Sequence, residues 1–321
     1  ARAMLDSTRS PGSLDGMEST GLPYTASPRP LVSRDGLLLA TTELSPPGPP
    51  LGAVLLLHGY AEHQGRHLPF AAELAAAGLV VRLLDLRGHG HSGGVRGGIG
   101  CFADYLDDLG LVRAALATSA GELPLFLVGH SLGGLLALQE GLTRPAGLAG
   151  LVAASPLLGL GRTVAPPRRL LAGLLARLWP DFSWPLGIAP ELLAAPDAGL
   201  PPAADDPFCH GRATARWYAE TTRAMATVRR AASALRCPLL LLAGEDDRLA
   251  DRGAMRRFAT QASQGLVAVG GEEADVRYES LSGLRHELWQ PASAAAAIAR
   301  RTARDWILRR SRLPISARQG K

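Results

Sequence analysis

Gly129-His130-Ser131-Leu132-Gly133 sets a serine between two glycines, with an apolar run, Leu123 to Val128, before it and a helix-forming run, Leu132 to Leu142, after it. A serine on so sharp a strand-to-helix turn has its hydroxyl lifted clear of the backbone, with a backbone N–H beside it to hold an oxyanion. The chemistry this favours is nucleophilic acyl transfer, in which the hydroxyl needs a general base and the base an orienting acid. Glycine supplies 37 of the 321 residues, so the pentapeptide alone is weak and its context must decide. A second occurrence, Gly90-His91-Ser92-Gly93-Gly94, follows Arg87-Gly88-His89 and runs into more glycine, which reads as a flexible loop. Ser131 is the candidate nucleophile.

On a strand-turn-helix serine the partners follow in the order Ser, then Asp or Glu, then His. Of eight histidines only His210 and His286 lie beyond the nucleophile region, and His210 precedes the acid candidates. His286 follows the strand-like run Val276 to Leu281 by a short loop, so it is the candidate base. Gly244-Glu245-Asp246-Asp247-Arg248 offers the acid just after the apolar run Leu239 to Leu242. Asp247 is preferred because the loop must turn before its acid faces the histidine; Asp246 is second. One oxyanion donor is the N–H of Leu132, directly after the nucleophile. The other is the N–H of Tyr60, in the loop His58-Gly59-Tyr60.

The elements that must carry these groups alternate. Leu31-Val32 and Leu37 to Leu39 read as short strands joined by an Asp35-Gly36 turn. A proline-rich link, Ser45 to Pro50, leads to Ala53 to Leu57, a continuous apolar run suited to a strand buried on both faces. Helix over Leu68 to Ala77, strand over Leu79 to Leu84, helix over Phe102 to Ala117, strand over Leu123 to Val128 and strand over Leu148 to Ala153 follow. After Pro156 the alternation stops. It resumes with strand at Leu239 to Leu242, helix at Arg252 to Gln261, strand at Val276 to Leu281 and a last helix over Pro291 to Arg309. This is an α/β chain with a mostly parallel, doubly wound sheet. The expected division is a disordered tail over 1–22, a sheet domain from 23–156 and 236–312, a helical cap lacking strands over 157–235, and a tail over 313–321.

Composition bounds the rest. Hydrophobic residues are 47% and charged residues 20%, ordinary for a globular chain able to bury a large core. The net charge is +5, but its arginines are scattered among acids without stacking aromatics, which argues against nucleic acid. Cys101, Cys209 and Cys237 have no metal-ligand spacing, and their odd number argues against a disulfide framework. Neither a membrane-spanning run nor a signal-peptide core is apparent, so a cytoplasmic setting is expected, with peripheral membrane contact as an option.

Together the motifs resemble one family. His58-Gly59-Tyr60-Ala61-Glu62-His63-Gln64-Gly65-Arg66, Asp85-Leu86-Arg87-Gly88-His89-Gly90-His91-Ser92-Gly93-Gly94, Gly129-His130-Ser131-Leu132-Gly133-Gly134, Ser155-Pro156, Asp206-Pro207 and Gly244-Glu245-Asp246-Asp247-Arg248-Leu249 are similar to the monoacylglycerol lipase and lysophospholipase branch of the α/β-hydrolases, grouped with serine aminopeptidase S33-like proteins. The resemblance runs from about residue 30 to 310 and is weakest over 157–235. It implies an α/β-hydrolase fold, a serine ester hydrolase acting on single-acyl lipids, Asp247 as the acid, and Glu62 and Arg66 shaping the polar end of the substrate pocket. A buried Glu62–Arg66 pair bracing the oxyanion loop is the alternative for those two. His63, His89, His91 and His130 are expected as hydrogen-bonded scaffold. Tyr60 departs from the small residue often found there, so its ring is expected to narrow the pocket while its N–H remains. No cofactor, metal or protein partner is implied.

Leu170 to Trp179 is apolar nearly all round with Arg168, Arg169 and Arg177 at its flanks. It reads either as a surface for lipid or as a helix buried on the sheet domain. Three rival functions remain. Lysophospholipid is the second substrate. An iminopeptidase needs an acidic clamp for a free amino terminus, for which Glu191, Asp197, Asp205 and Asp206 are available. A non-catalytic relative usually lacks a triad member, whereas all three stand here in order. Dehalogenase or epoxide hydrolase chemistry would want a carboxylate where Ser131 stands.

Overall fold

A computed structural model describes residues 23–161, 165–194, 199–272 and 275–313. The expected tails over 1–22 and beyond 313 lie outside the described residues.

The strands are β1 (Thr25–Pro28), β2 (Leu31–Val32), β3 (Leu38–Leu39), β4 (Thr41–Ser45), β5 (Gly52–Leu57), β6 (Leu79–Leu84), β7 (Leu125–His130), β8 (Leu148–Ala154), β9 (Ser183–Pro185), β10 (Arg212–Thr214), β11 (Leu239–Gly244) and β12 (Val276–Leu281). The helices are α1 (Leu68–Ala76), α2 (Phe102–Ala120), α3 (Leu132–Thr143), α4 (Pro166–Leu178), α5 (Pro190–Leu193), α6 (Ala215–Arg230), α7 (Arg252–Val267) and α8 (Ala294–Ser311). Eight strands form one sheet in the order β1-β4-β6-β5-β7-β8-β11-β12. β1 and β4 run antiparallel at one edge, and every pairing from β6 to β12 is parallel.

Strict side-chain alternation splits the central strands between two cores. Leu55, Leu57 and Leu127 face α2 and α3, with Leu132 and Leu136. Val54, Leu56, Phe126 and Val128 face the other way, toward Phe70, Trp289 and Trp306. Burial on both faces is why these strands read as unbroken apolar runs. The functional loops then fall at the carboxyl ends of β5, β7, β11 and β12, where an open parallel sheet presents its ligand crevice.

The sequence missed β1 and β4: β4 mixes threonine and glutamate, and its Glu43 is buried against Arg82 on β6. β7 starts at Leu125 rather than Leu123, and α7 runs past Gln261 to Val267. α8 begins at Ala294, capped by Ser293, whose hydroxyl accepts the Ala296 N–H. Among the described residues the segment from Leu157 to Leu235 adds no strand to the main sheet, but it is not strand-free. β9 and β10 pair antiparallel within it. Two three-residue strands lack the length for a legible alternation in the sequence.

Candidate active site

The turn at Ser131 is forced by its neighbours. A Cβ on Gly129 would stand 2.2 Å from the Gly133 carbonyl oxygen, and one on Gly133 would stand 2.4 Å from that of Leu57. Both glycines therefore let the chain reverse tightly against β5. Ser131 itself sits at φ 51°, ψ −110°, a conformation costly for a side chain. The turn is held by the Ser131 N–H on the Ala154 carbonyl at 3.0 Å and by the Leu157 and Leu135 N–H groups on the Ser131 carbonyl.

The three residues proposed from chain order converge. His286 Nε2 lies 2.9 Å from Ser131 Oγ, and His286 Nδ1 lies 2.8 Å from Asp247 Oδ2. Asp247 only accepts when ionised, so Nδ1 carries the hydrogen and the Nε2 lone pair faces the hydroxyl. The other carboxylate oxygen, Oδ1, takes the N–H groups of Leu249 at 2.8 Å and Ala250 at 3.0 Å. Burial alone would raise the Asp247 carboxyl; the His286 ring and those N–H groups outweigh it and hold it below its usual range. All three side chains are buried, whereas Asp246, the second choice, is exposed. Ser92, in the competing pentapeptide, donates to the Asp85 carbonyl and accepts from the Ala40 N–H, which makes it a loop anchor.

The His58-Gly59-Tyr60 turn lies against the nucleophile. A Cβ on Gly59 would come within 3.1 Å of Ser131 Cβ. The N–H groups of Tyr60 and Leu132 have no hydrogen-bond acceptor among the described residues. Leu132 opens α3, where first-turn N–H groups lack an intrahelical partner and favour negative charge. The Tyr60 phenol donates toward the Gly97 carbonyl at 2.8 Å and lies 3.1 Å from that of Arg212 in β10. Its ring stacks on Trp217 of α6 with centroids 3.5 Å apart.

Glu62 and Arg66 are both buried, and they border a cavity of about 10 Å³ together with His67, His130, Leu200 and Glu287. Glu62 Oε1 accepts the Gly59 N–H at 2.5 Å and faces His130 Nδ1 at 2.9 Å and His67 Nε2 at 3.1 Å. Its other oxygen lies 3.6 Å from Arg66 Nε, and Arg66 also reaches the Pro201 carbonyl and Glu287. Burial would raise the Glu62 carboxyl, but the two histidines hold it well below the usual glutamate range. Of the scaffold histidines, His63 donates to Asp206 and His89 faces the Arg87 carbonyl.

Two clusters bring three metal-ligating atoms together, Glu62-His67-His130 and His63-Asp206-Cys209. In the second, His63 Nδ1 accepts the Gly65 N–H, so Nε2 carries the ring hydrogen and is committed to Asp206. Burial also pushes the Cys209 thiol far up, away from a ligating thiolate. The first is a hydrogen-bonded carboxylate between two rings. Of the acids considered for an amino-terminal clamp, Asp206 is taken up by His63 and the Phe208 N–H, Glu191 and Asp205 are exposed, and Asp197 lies outside the described residues. Chain order pointed to Ser131, Asp247 and His286, which lie within hydrogen-bond distance of one another, but nothing in the sequence marked Glu287 or Trp217 as neighbours of the site.

Residues 48–290 match the family model described as serine aminopeptidase, S33. The monoacylglycerol lipase of Mycolicibacterium smegmatis is 31% identical over 245 residues, covering 76% of this chain and 84% of the relative. The monoglyceride lipase of Rattus norvegicus is 32% identical over 247 residues, covering 76% and 80%. Among solved structures, the monoacylglycerol lipase of Paleococcus ferrophilus superposes with a TM-score of 0.74 at 26% identity, over 85% of this chain and 99% of that one. The chain therefore belongs to the serine aminopeptidase S33 family of α/β-hydrolases, within its monoacylglycerol lipase branch of ester hydrolases.

Proposed function

We propose that this chain hydrolyses the ester bond of single-acyl lipids, monoacylglycerol first and lysophospholipid second, through a Ser131–His286–Asp247 triad and an acyl-enzyme. His286 takes the Ser131 proton as Oγ attacks the ester carbonyl carbon. The resulting oxyanion is held by the N–H groups of Tyr60 and Leu132, each such donor being worth about 2.7–4 kcal/mol of barrier lowering. Collapse expels the alcohol, which leaves with the proton held on His286. Water, deprotonated by the same ring, then frees the acid. The observation that carries this reading is the unbroken line Ser131 Oγ, His286, Asp247 at 2.9 and 2.8 Å. The relatives named above support the substrate class.

Glu62 acts in this scheme by bracing the oxyanion turn, since its carboxylate is turned onto Gly59, His67 and His130. Arg66 closes the polar end of the pocket beside Glu287. We assign 157–235 to a cap over the sheet domain formed by 23–156 and 236–312. On α4 the small side chains Ala172 and Ala176 face inward, while Leu170, Leu174, Leu178 and Trp179 stand 75%, 53%, 72% and 62% exposed. That outward apolar row is the proposed contact with a lipid surface. No helix among the described residues is long and apolar enough to cross a membrane.

Two measurements test the proposal. Ser131→Ala is expected to abolish labelling by a fluorophosphonate probe in a folded protein; undiminished labelling would place the nucleophile elsewhere. Hydrolysis rates across monoacylglycerols of graded length, beside lysophosphatidylcholine and a proline naphthylamide, are expected to favour the monoacylglycerols. A dominant naphthylamidase activity would overturn the substrate assignment.

A further inference from the structure

His130 stands directly before the nucleophile, at the end of β7, with its ring buried. Its Nδ1 lies 2.9 Å from Glu62 Oε1 and its Nε2 lies 3.2 Å from the carbonyl oxygen of His286. A carbonyl and an ionised carboxylate are both acceptors, with no hydrogen to offer. A neutral imidazole has a single N–H, so it would leave a lone pair facing one of these oxygens. We propose that His130 is a doubly protonated imidazolium that ties the oxyanion turn to the loop bearing the base, and so acts as a positioning residue for the reaction. The inference rests on the triad reading above and adds a group that reading does not use.

The surrounding charges favour the second proton. On the turn after β5 stand Glu62, Arg66 and His67, the last with its ring centroid 5.7 Å from that of His130. On the loop after β12 stand His286, ring centroid 4.9 Å away, and Glu287, 3.3 Å from Arg66. Asp206 lies 4.0 Å from Arg66 and takes its hydrogen bond from His63. Glu62 and Glu287 thus share the single Arg66 guanidinium, and a cationic His130 supplies the balancing charge. Burial disfavours that cation, yet the Glu62 carboxylate outweighs it and raises the ring above its ordinary value.

The consequence is mechanical as well as electrostatic. Glu62 Oε1 receives the Gly59 N–H and His130 together, so one line of hydrogen bonds runs from Gly59 through Glu62 and His130 to the His286 backbone. Gly59 precedes the proposed oxyanion donor, and the His286 carbonyl fixes the loop that aims the base. Loss of the second proton breaks one of the two links, so the oxyanion donor and the base lose a common reference. Displacements of an ångström at such groups cost about 10²-fold in rate.

Ring-nitrogen NMR of the resting wild-type protein near neutral pH tests this directly. One histidine, assigned by its loss in His130→Gln, should carry hydrogens on both nitrogens and release the second above the ordinary imidazole range. In Glu62→Gln that proton should leave at lower pH. Kinetically, His130→Gln should lower kcat by about 10²-fold with little change in KM. It should also lose the alkaline decline that the wild type shows as His130 deprotonates. A singly protonated His130 at neutral pH, or a His130→Gln enzyme with wild-type kcat and an unchanged alkaline limb, overturns the inference. If His130→Gln does not fold, through-bond assignment of the His130 ring in the wild-type protein gives the same readout, and Glu62→Gln remains the comparison. The ring signature is read without turnover, so it fails or stands separately from Ser131 labelling.

Discussion

Asp247→Asn is the most searching perturbation of this site, because the structure dictates how the new amide must sit. Asp247 Oδ1 accepts two backbone N–H groups, from Leu249 and Ala250, while Oδ2 faces His286 Nδ1. An asparagine that turned its NH2 toward Leu249 and Ala250 would leave both donors unpaired, at about 1–3 kcal/mol for the buried Ala250 N–H alone. The amide oxygen therefore stays with the backbone and the NH2 points at His286. The ring must then accept at Nδ1 and carry its hydrogen on Nε2, toward Ser131 Oγ, the wrong tautomer for a base. Removing a triad acid in this way typically lowers kcat by about 10⁴, equivalent to about 5.4 kcal/mol at 1.36 kcal/mol per tenfold. The side chain is nearly isosteric, so the fold should persist. The assay is kcat for a monoacylglycerol at neutral pH beside the rate of fluorophosphonate labelling, with circular dichroism as the control for folding. A folded Asp247→Asn enzyme within tenfold of wild type in both rates would refute the assignment of the acid and the tautomer argument with it.

Three further outcomes follow from the same geometry. Gly59→Ala places a methyl 2.7 Å from Glu62 Oε1 and 3.1 Å from Ser131 Cβ, so the oxyanion turn must shift. It should lose about 10²–10³ in kcat, as removal of one oxyanion donor does, with KM little moved; an unimpaired kcat would place the second donor elsewhere. Tyr60→Phe removes the phenol's bonds to Gly97 and Arg212 but keeps the ring on Trp217. It should cost about 0.5–1.5 kcal/mol in stability, read as urea midpoints, and no loss would mean that the phenol does not anchor the turn. Glu62→Gln separates the ion pair by pH. The Glu62 carboxyl is held well below the ordinary glutamate value of 4.5, so its contribution is present above that value and lost as pH falls through the lowered one. His130 is raised above 6.5, so its contribution is present below 6.5 and lost as pH rises through the raised value. The gap in Tm between wild type and Glu62→Gln should be widest between those two limits and narrow on the alkaline side; a gap constant across the range refutes the pairing.

What the sequence disclosed was whatever depends on local geometry and chain order. Ser131 was legible because a strand, a glycine-flanked turn and a helix are contiguous, and Asp247 and His286 because both follow strands in the required order. The central strands were legible because burial on two faces leaves no polar residue to blur them. Illegible features depended on partners far along the chain. Glu43 makes β4 look unlike a core strand, and Arg82, its register partner on β6, accounts for it together with Arg29. The Leu170 to Trp179 run looked apolar all round because hydropathy does not distinguish the alanines that pack inward from the leucines that face out. Tyr60 stands out in the sequence, but its stacking on Trp217 joins residues separated by about half of the chain.

These distant contacts hold the proposed oxyanion turn from two sides. On the sheet side, Gly59 is held by Glu62, while Gln64 donates from both its backbone and its amide to Asp85 at 2.7 and 3.1 Å. On the other side, the segment inserted after β8 holds it through the Tyr60 phenol at Arg212, the Trp217 stack, and the His210 N–H on the Ala61 carbonyl at 3.0 Å. Ala61 sits at φ 69°, a left-handed conformation that persists only because both sides hold it. α4, with its exposed leucines, packs on α6, the helix that carries Trp217. A lipid surface that displaced α4 would therefore act on the turn through α6 and Tyr60. In this arrangement the proposed lipid contact on α4 and the proposed oxyanion turn share one mechanical connection, through Trp217 and Tyr60.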